Sequence, residues 1–351
     1  MILVDFSALA YQAMYSAVSA TNPRLDGDKY RTEDFAPFMV YRVMESLFDI
    51  STRFRNCGGI VICLDGDGQR NWRKTYYPMY KSSRPKERRA SQINFTEVYE
   101  VINDIIHLLE TACPYKVVRV PEAEGDDVVM VLAREAAGHG DTMIVSCDKD
   151  MIQMQKYPGI QQYSYMSQKY VTYEDKHENS MDDWLLEHVV LGDAADDVPR
   201  IVDGLKFSSA FAKHIDEHGL QLTESDVRNT NWEQYGFDGY RAGTRMMLDV
   251  FERPRFGMAA ARKAIKAAGS LDLWLDSDPR LRDNYELNRI LVLEEGIPDT
   301  VRSSIIANYD KAGDTVDNAA IDKFMQKYGI SRMMLQLPAE FHRSFTVEDL
   351  F

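Results

Sequence analysis

Acidic residues recur just after short apolar segments in the first half of the sequence. The acids that end or follow such segments are Asp5, Asp65, Asp148 and Asp150. Parallel strands present their carboxyl ends at one edge of a sheet, where open α/β sheets bind ligands, so we expect these carboxylates to lie close together. An Asp in this position can also cap the helix that follows its strand, and for Asp5 both interpretations stay open.

A second acidic pattern occupies residues 121–127, which read P-E-A-E-G-D-D and precede an apolar run at residues 128–132. A helix that begins near Glu124 places Glu124 and Asp126 at its first turn, where the helix dipole favours negative charge. Carboxylates this dense repel one another unless water or a cation lies between them. A solvated acidic first turn would also explain this stretch when it is taken alone.

Two more acids, Asp193 and Asp196, follow a predicted helix at residues 184–190. They are three residues apart, so a turn or a helix can direct both side chains the same way. Together with the strand-end acids they form an all-oxygen set without His or Cys, and such a set selects Mg²⁺ or Mn²⁺ over Zn²⁺. Two such ions about 3.5–4 Å apart activate water and stabilise an in-line displacement at phosphorus. The acidic set therefore predicts phosphodiester hydrolysis.

The elements that must position these acids follow an α/β pattern. Strand-like segments alternate with helical patterns: strands are expected at residues 2–6, 59–65, 115–120 and 142–147, helices at 35–54 and 94–112, and an edge hairpin at 160–165 and 169–173. Residues 21–34 read as a polar loop. The alternation predicts a mainly parallel central sheet flanked by helices, and the pattern becomes helical after Met181.

Two basic stretches interrupt an otherwise acidic chain, whose net charge is −14. Residues 70–89 carry eight Lys or Arg against one acid, with Trp72 and several tyrosines between them. Basic side chains can neutralise phosphates while aromatic rings stack on unpaired bases. The second stretch, residues 241–266, begins a helix near Phe256 whose N-terminus could receive a phosphate. A solvated basic loop and a solvated helix face are the respective alternatives.

The composition excludes several other classes of protein. With 351 residues and 45% hydrophobic content the chain can bury a full core, and its length predicts two domains or one domain with a large extension. The four cysteines lack metal-finger spacing and no apolar run is long enough to span a membrane. We therefore expect a soluble protein with reduced thiols in the cytoplasm, or in the host cytoplasm if a phage encodes it. Motifs of P-loop, dinucleotide and serine-hydrolase sites are absent.

In order and spacing, the motifs in residues 1–200 resemble those of the flap endonuclease and 5′ nuclease family. They are most similar to those of its phage ribonuclease H and 5′-3′ exonuclease branch. The motifs are I-L-V-D-F, C-L-D-G-D, Y-K-S-S-R, E-G-D-D, S-C-D-K-D and G-D-A-A-D-D-V-P. The resemblance implies a PIN-like α/β nuclease domain at residues 1–180, with a helical arch in the basic region 70–95, and a helical DNA-binding domain at 181–351. That second domain would contain a modified helix-hairpin-helix. Arg200 replaces the glycine that follows the family's V-P element, and residues 204–206, G-L-K, lack the second glycine of its G-[IV]-G triplet.

The resemblance also implies a metal site with two Mg²⁺ ions, for which Mn²⁺ can substitute. The first ion would be held by Asp5, Asp65, Glu124 and Asp126 with help from Asp148, and the second would be served by Asp150, Asp193 and Asp196. Asp127 would support this set without an assigned role.

Nucleic-acid contacts are expected from the two basic stretches. By the resemblance, Tyr80 would stack near the scissile nucleotide, and Lys81 and Arg84 would steer the 5′ or the scissile phosphate. Further contacts are expected at Arg70, Arg73, Lys74, Arg262, Lys263 and Lys266.

The implied activity is Mg²⁺-dependent 5′-3′ exonuclease and ribonuclease H cleavage of RNA·DNA and duplex DNA, with flap endonuclease activity, in the removal of RNA primers during lagging-strand replication. Substrates would be branched or nicked DNA and RNA·DNA duplexes, bound by a monomer without membrane contact. A sliding clamp that binds the acidic tail ending in Leu350 and Phe351 and a single-strand DNA-binding protein are candidate partners. A frayed tail is the alternative there. For the whole chain, the alternatives are a PIN-type endoribonuclease and a non-catalytic replisome adaptor.

Overall fold

The structure is a computed structural model, and it describes residues 1–173, 180–202, 206–207, 251–252, 256–313 and 316–330. The chain divides into two compact units. The first comprises Met1–Trp72, Ala90–Met181 and Ile297–Phe351, and the second comprises Arg73–Arg89 and Asp182–Gly296. The predicted domains at residues 1–180 and 181–351 stay a prediction, and residues 73–89 group with the second of these compact units.

The first unit contains a six-stranded sheet and a small hairpin. Its strands are β1 (Ile2–Asp5), β2 (Leu25–Asp26), β3 (Lys29–Tyr30), β4 (Ile60–Leu64), β5 (Lys116–Arg119), β6 (Thr142–Val145), β7 (Ile160–Ser164) and β8 (Lys169–Val171). The sheet order is β5-β4-β1-β6-β7-β8. All neighbours are parallel except β8, which pairs antiparallel with β7. The predicted mainly parallel sheet and its edge hairpin are confirmed.

Helices cover both faces of this sheet, as the sequence predicted. In chain order, the α-helices among the described residues are α1 (Phe6–Thr21), α2 (Ala36–Arg53), α3 (Arg73–Tyr76), α4 (Arg84–Ala90), α5 (Phe95–Ala112), α6 (Gly125–Ala136), α7 (Met181–Leu191), α8 (Met258–Ala268), α9 (Leu271–Leu275), α10 (Pro279–Val292), α11 (Asp299–Lys311) and α12 (Asn318–Lys327). None of them is long and apolar enough to cross a membrane.

The two faces of the sheet follow from the alternation of side chains along β1. Ile2 and Val4 are buried in one core with α1, α2 and α5. Leu3 is equally buried but faces the opposite side, since successive side chains of a strand alternate. There α6 packs against β1 and β4, and α11 packs against α6. A strand that is covered on both faces needs the near-continuous apolar sequence that β1 has.

The polar loop predicted for residues 21–34 contains regular structure instead. The strands β2 and β3 pair antiparallel around the D-G-D turn at residues 26–28, and a 3₁₀ turn follows at Thr32–Asp34. Two hydrogen bonds join the hairpin to Gln92, which follows α4 in the chain. Tyr30 N donates to Gln92 O over 2.8 Å, and Tyr30 Oη donates to Gln92 Oε1 over 2.9 Å. Strands of two residues are too short to show the alternation that predicts a strand.

The second unit is mainly helical where the structure describes it. It contains α3, α7, α8, α9 and α10, most of α4, and a pair of two-residue strands, β9 (Lys206–Phe207) and β10 (Phe251–Glu252). One apolar cluster centres on Met258 and Trp274, and another on Tyr80 and Leu291. The helical character predicted after Met181 is confirmed. The helix-hairpin-helix stays a prediction, because residues 203–205 lie outside the described residues, as do most of residues 207–256 and the predicted clamp-binding tail.

Candidate metal and phosphate site

Asp5 lies at the end of β1 and caps α1 at the same time. It is 6% exposed, its Oδ1 accepts a hydrogen bond from Ala8 N (3.1 Å), and its Oδ2 accepts one from Ser146 Oγ (2.8 Å). The capping bond satisfies one of the free N–H groups in the first turn of α1. Asp5 is therefore both an acid at a strand end and the N-cap of a helix.

Asp65 connects the end of β4 to the start of α6. Its Oδ1 accepts from Gly125 N (2.8 Å), and its Oδ2 accepts from Ser7 Oγ (2.7 Å). A Cβ atom at Gly125 would lie 3.3 Å from both Asp65 Oδ1 and Cys63 O, so glycine avoids a tight contact between the helix and the strand end. The positive end of the α6 dipole thus faces an anion.

Two neighbouring aspartates in the first turn of α6, Asp126 and Asp127, have different environments. Glu124 and Asp127 form a capping box, in which the Glu124 side chain accepts from Asp127 N and Asp127 Oδ2 accepts from Glu124 N over 2.9 Å. Asp127 is fully buried, and the same Oδ2 accepts from Trp72 Nε1 over 3.0 Å. Asp126 is half-buried and takes no part in the capping box. Asp127 is therefore a structural residue, a role that sequence reasoning left unassigned.

Asp148 lies beyond β6 and caps the 3₁₀ helix Lys149–Lys156. Its Oδ1 accepts from Asp150 N over 2.8 Å, and its own N–H donates to Ser146 Oγ over 3.1 Å. Because Ser146 Oγ also donates to Asp5, this hydroxyl joins the two strand-end acids. Sequence reasoning missed Ser146, since a serine at the end of an apolar run carries no signal of its own.

The charges of acids from different elements act on two cysteine thiols. Desolvation raises the pKa of the Cys147 thiol, and the charges of Asp5, Asp148 and, more weakly, Asp126 raise it further. Burial raises the pKa of Cys63, and the charges of Asp5 and Asp126 add to that shift. Both thiols therefore stay protonated at neutral pH. The strand ends of β1 and β6 and the first turn of α6 share one negative region.

In the part of the chain that the structure describes, no group of three or more His, Cys, Asp or Glu side chains is arranged so that it could hold one metal ion. Oxygens of Asp5, Asp65 and Asp148 accept hydrogen bonds from backbone N–H groups or serine hydroxyls. A carboxylate has about four lone-pair sites, so it can accept such bonds and bind a cation as well. The oxygens of these carboxylates fit a hard divalent cation.

In the second unit, Asp193 caps the 3₁₀ helix Ala194–Asp196 by accepting from Ala195 N over 2.8 Å. The preceding Gly192 adopts a left-handed φ of 61°, and a Cβ atom there would lie 2.3 Å from Pro199 O. Only glycine fits such a position. The position of Asp193 thus depends on this glycine.

A buried amide closes the loop that carries Asp193 and Asp196. Asn288 is 1% exposed and projects from α10, and its Nδ2 donates to Val189 O (3.0 Å) and to Pro199 O (2.7 Å). Both carbonyls lie at the ends of the loop, so one side chain from a distant helix fixes its width.

Asp196 binds the segment that carries the predicted phosphate contacts. Its Oδ2 accepts from Tyr80 Oη over 2.8 Å and lies 3.3 Å from Lys81 Nζ, while its Oδ1 accepts from Arg84 Nη2 over 2.6 Å. The structure thus brings together Tyr80, Lys81, Arg84 and Asp196, which the sequence had placed in separate roles. One carboxylate faces two cationic side chains here.

Two of the predicted nucleic-acid contacts are buried. The Tyr80 ring is 3% exposed and packs with Val189, Val198 and Leu291, which is at odds with stacking on a base. Arg73 is 4% exposed, and its Nε donates to Leu291 O over 2.8 Å, so its guanidinium serves the packing of the second unit rather than a phosphate at the surface. Basic and aromatic composition cannot distinguish a buried side chain from an exposed one.

The other predicted contacts lie at the surface or near it. Lys74 is half-buried. Arg70 is exposed and pairs with Glu122 over 2.6 Å. On α8 the exposed basic residues are Arg262, Lys263 and Lys266, of which Arg262 lies 4.0 Å from Glu187. These positions suit either a phosphate contact or a solvated helix face.

The architecture is that of the 5′ nuclease class. The solved structure of T5 5′-exonuclease with bound divalent metal ions (zinc) has a similar fold, with a TM-score of 0.51 and 12% sequence identity, and the match covers 93% of this chain and 97% of that chain. A family model described as 5′-3′ exonuclease, N-terminal resolvase-like domain matches residues 1–182. The chain belongs to this family, and the resemblance inferred from the motifs is confirmed.

Curated relatives match a shorter part of the chain. Ribonuclease H of Enterobacteria phage T4 is 29% identical over 143 residues, which is 40% of this chain and 46% of that protein. Flap endonuclease Xni of Shewanella sp. strain W3-18-1 is 30% identical over 146 residues, which is 40% of this chain and 52% of that protein. The chain thus spans about half the length of the curated relatives it matches.

Proposed function

We propose that this protein is a Mg²⁺-dependent, structure-specific 5′ nuclease that hydrolyses phosphodiester bonds in RNA·DNA hybrids, duplex DNA with a 5′ end and flaps. The observation that carries the proposal is the arrangement of the strand-end acids in the first unit: Ser146 Oγ donates to Asp5 and accepts from Asp148 N, and Asp65 accepts from Gly125 N at the first turn of α6. Membership of the 5′-3′ exonuclease family supports the same conclusion.

The first metal ion would be held by Asp5, Asp65, Glu124 and Asp126, with help from Asp148. Mg²⁺, or Mn²⁺ in its place, would supply an acidified water and neutralise charge that develops at the phosphate. The T5 5′-exonuclease structure that shares this fold contains divalent metal ions, which supports the choice of a divalent cation. The assignment of Asp150, Asp193 and Asp196 to a second ion stays a prediction from the resemblance.

The side chains of the chain itself would orient both reactants. Ser146 holds Asp5 through its hydroxyl, and Asp127 fixes the first turn of α6, so the carboxylates that would bind metal start from defined positions. Lys81 and Arg84 would bind a phosphate of the substrate in place of the Asp196 carboxylate that they now face. An ammonium and a guanidinium provide a point charge and a planar pair of donors for phosphate oxygens.

In the cell, the substrate would be the RNA primer or the displaced 5′ flap of the lagging strand. The names of the two relatives, a ribonuclease H and a flap endonuclease, support cleavage of RNA·DNA and of branched DNA. A sliding clamp and a single-strand DNA-binding protein stay predicted partners.

The test is cleavage by purified protein of 5′-labelled flap, nicked-duplex and RNA·DNA substrates, each with Mg²⁺ and with EDTA. We expect short products from all three with Mg²⁺ and none with EDTA. If the protein cuts none of the three substrates, the result would favour the alternative of a non-catalytic adaptor. Preference for unstructured RNA would instead identify a PIN-type endoribonuclease.

A further inference from the structure

The buried carboxylate of Asp197, next to Asp196, reaches back to the segment that contains Lys81 and Arg84. Asp197 is 2% exposed, and its Oδ2 accepts from Ser83 N over 2.8 Å and from Ser82 Oγ over 3.3 Å. The two neighbouring aspartates therefore contact different parts of one segment. Asp196 contacts its side chains, and Asp197 contacts its turn.

Backbone conformation shows that both partners of this contact are constrained. Asp197 has a φ of 63° and Lys81 a φ of 54°, a left-handed region that residues with a side chain seldom adopt. In addition, Lys81 N donates to Asp196 O over 3.0 Å. Such conformations persist only where the surroundings impose them, and they are concentrated at functional sites.

The position of the turn determines where the cationic groups point. Ser82 and Ser83 lie between Lys81 and Arg84, so a turn that is fixed by Asp197 fixes the direction in which both side chains leave the backbone. The Lys81 side chain is 13% exposed, which leaves little room for it to reorient if the turn moves.

We propose that Asp197 is a positioning residue that holds the turn at Ser82 and Ser83, and thereby holds Lys81 and Arg84 in the orientation that binds the substrate phosphate. This inference rests on the proposed nuclease function. Asp197 acts through the turn and does not itself contact the substrate.

Two substitutions distinguish the effect of the Asp197 carboxylate from the effect of its left-handed backbone conformation. Asp197→Asn keeps an oxygen acceptor and a residue type that tolerates the left-handed region, whereas Asp197→Gly keeps the conformation and removes the acceptor. Asp278→Gly is the stability control, because it removes an exposed helix cap in the same unit, 3.0 Å from Arg280 N, without touching this turn.

The measurement is the single-turnover rate constant on a 5′-phosphorylated flap with Mg²⁺, together with the Kd for the same substrate in EDTA. We expect Asp197→Gly to slow cleavage by about 10- to 100-fold, as for a group displaced by about 1 Å, with a much smaller change in Kd. Asp197→Asn should restore most of the rate. The double variant Asp197→Gly/Lys81→Ala should lose less than the product of the two single losses, because Asp197 acts in part through Lys81.

Multiplicative rate losses in the double variant, or an equal loss in Asp278→Gly, would overturn the positioning role. If the wild-type protein cleaves no substrate, the proposed nuclease function fails, and the turn is then judged by trypsin cleavage after Lys81. We expect that bond to resist in the wild type and in Asp197→Asn and to be cut in Asp197→Gly. Equal rates of cutting in all three would show that Asp197 does not hold the turn.

Discussion

The indole N–H of Trp72 donates a 3.0 Å hydrogen bond to the buried carboxylate of Asp127. Trp72 N also donates to Glu122 O over 3.0 Å, so this tryptophan is joined to both sides of the turn that precedes α6. The same Asp127 oxygen caps the helix on which Glu124 and Asp126 lie. One structural acid therefore sets the position of two proposed metal ligands.

We expect Asp127→Ala to lower the free energy of unfolding by about 2–3 kcal/mol, because it removes a charged acceptor and leaves the Trp72 N–H buried without that partner. Urea denaturation followed by circular dichroism measures the change. Asp126→Ala, at the neighbouring half-buried position, is the matched control and should change stability by less than about 0.5 kcal/mol. Equal losses in the two variants would contradict the separate roles.

Asp126→Asn should abolish cleavage while binding of the flap substrate in EDTA survives. The substitution removes a negative charge that the proposed cation requires but leaves the capping box intact. We also expect Mg²⁺ at about 100 times its Kd to stabilise the wild type by about 2.7 kcal/mol and to stabilise the variant less. Thermal melts with Mg²⁺ and with EDTA measure this difference. Full activity would remove Asp126 from the metal set.

Lys81→Ala should slow turnover more than it weakens duplex binding, because Lys81 is proposed to steer one phosphate and other groups hold the remaining duplex. Single-turnover rates and Kd values distinguish the two effects. The control is Lys323→Ala, which removes one positive charge from the exposed face of α12. An unchanged rate in Lys81→Ala would refute the phosphate role.

Gly192→Ala should destabilise the protein by at least about 2 kcal/mol, since it combines a left-handed φ with a clash against a carbonyl. Gly257→Ala is the matched control, because a Cβ atom there meets nothing within 4 Å. Chemical denaturation of both variants provides the comparison. Similar stability of the two would show that the loop before Asp193 can relax.

The contact between α5 and α12 should depend on pH. Burial raises the pKa of Asp104, but hydrogen bonds from Lys327 and Tyr328 outweigh it and the pKa is lowered. A carboxyl with a lowered pKa stabilises the fold above its ordinary pKa near 4, and that contribution is lost as the pH falls through the folded-state pKa. Because the pair is partly exposed, Asp104→Asn should cost only about 0.5–1 kcal/mol at pH 7 and almost nothing near pH 2. An equal cost at both pH values would contradict this origin.

The strand-end acids could be predicted because each follows a run of apolar residues that only a buried strand explains. Asp5, Asp65 and Asp148 were found in this way, and so was the first turn of α6. The capping role that the structure gives Asp5 was visible from the same sequence position.

The structural roles of Asp127 and Asp197 could not be predicted, because each depends on a partner far away in the sequence. Trp72 lies 55 residues from Asp127, and Ser83 lies 114 residues from Asp197. The burial of Arg73 and Tyr80 could not be predicted either, and both were expected to contact nucleic acid. Their residue types suit a surface contact, and only the tertiary packing shows that they are buried.

The return of the chain to its first unit has a consequence for synthesis. Helix α11 packs on α6 and β5, and α12 packs on α5, although the ribosome makes both helices long after the sheet. A nascent chain therefore exposes the outer sides of α5 and α6 until translation has passed Lys327. A chain truncated before Asp299 would leave the sides of α5 and α6 that these two helices cover open to solvent.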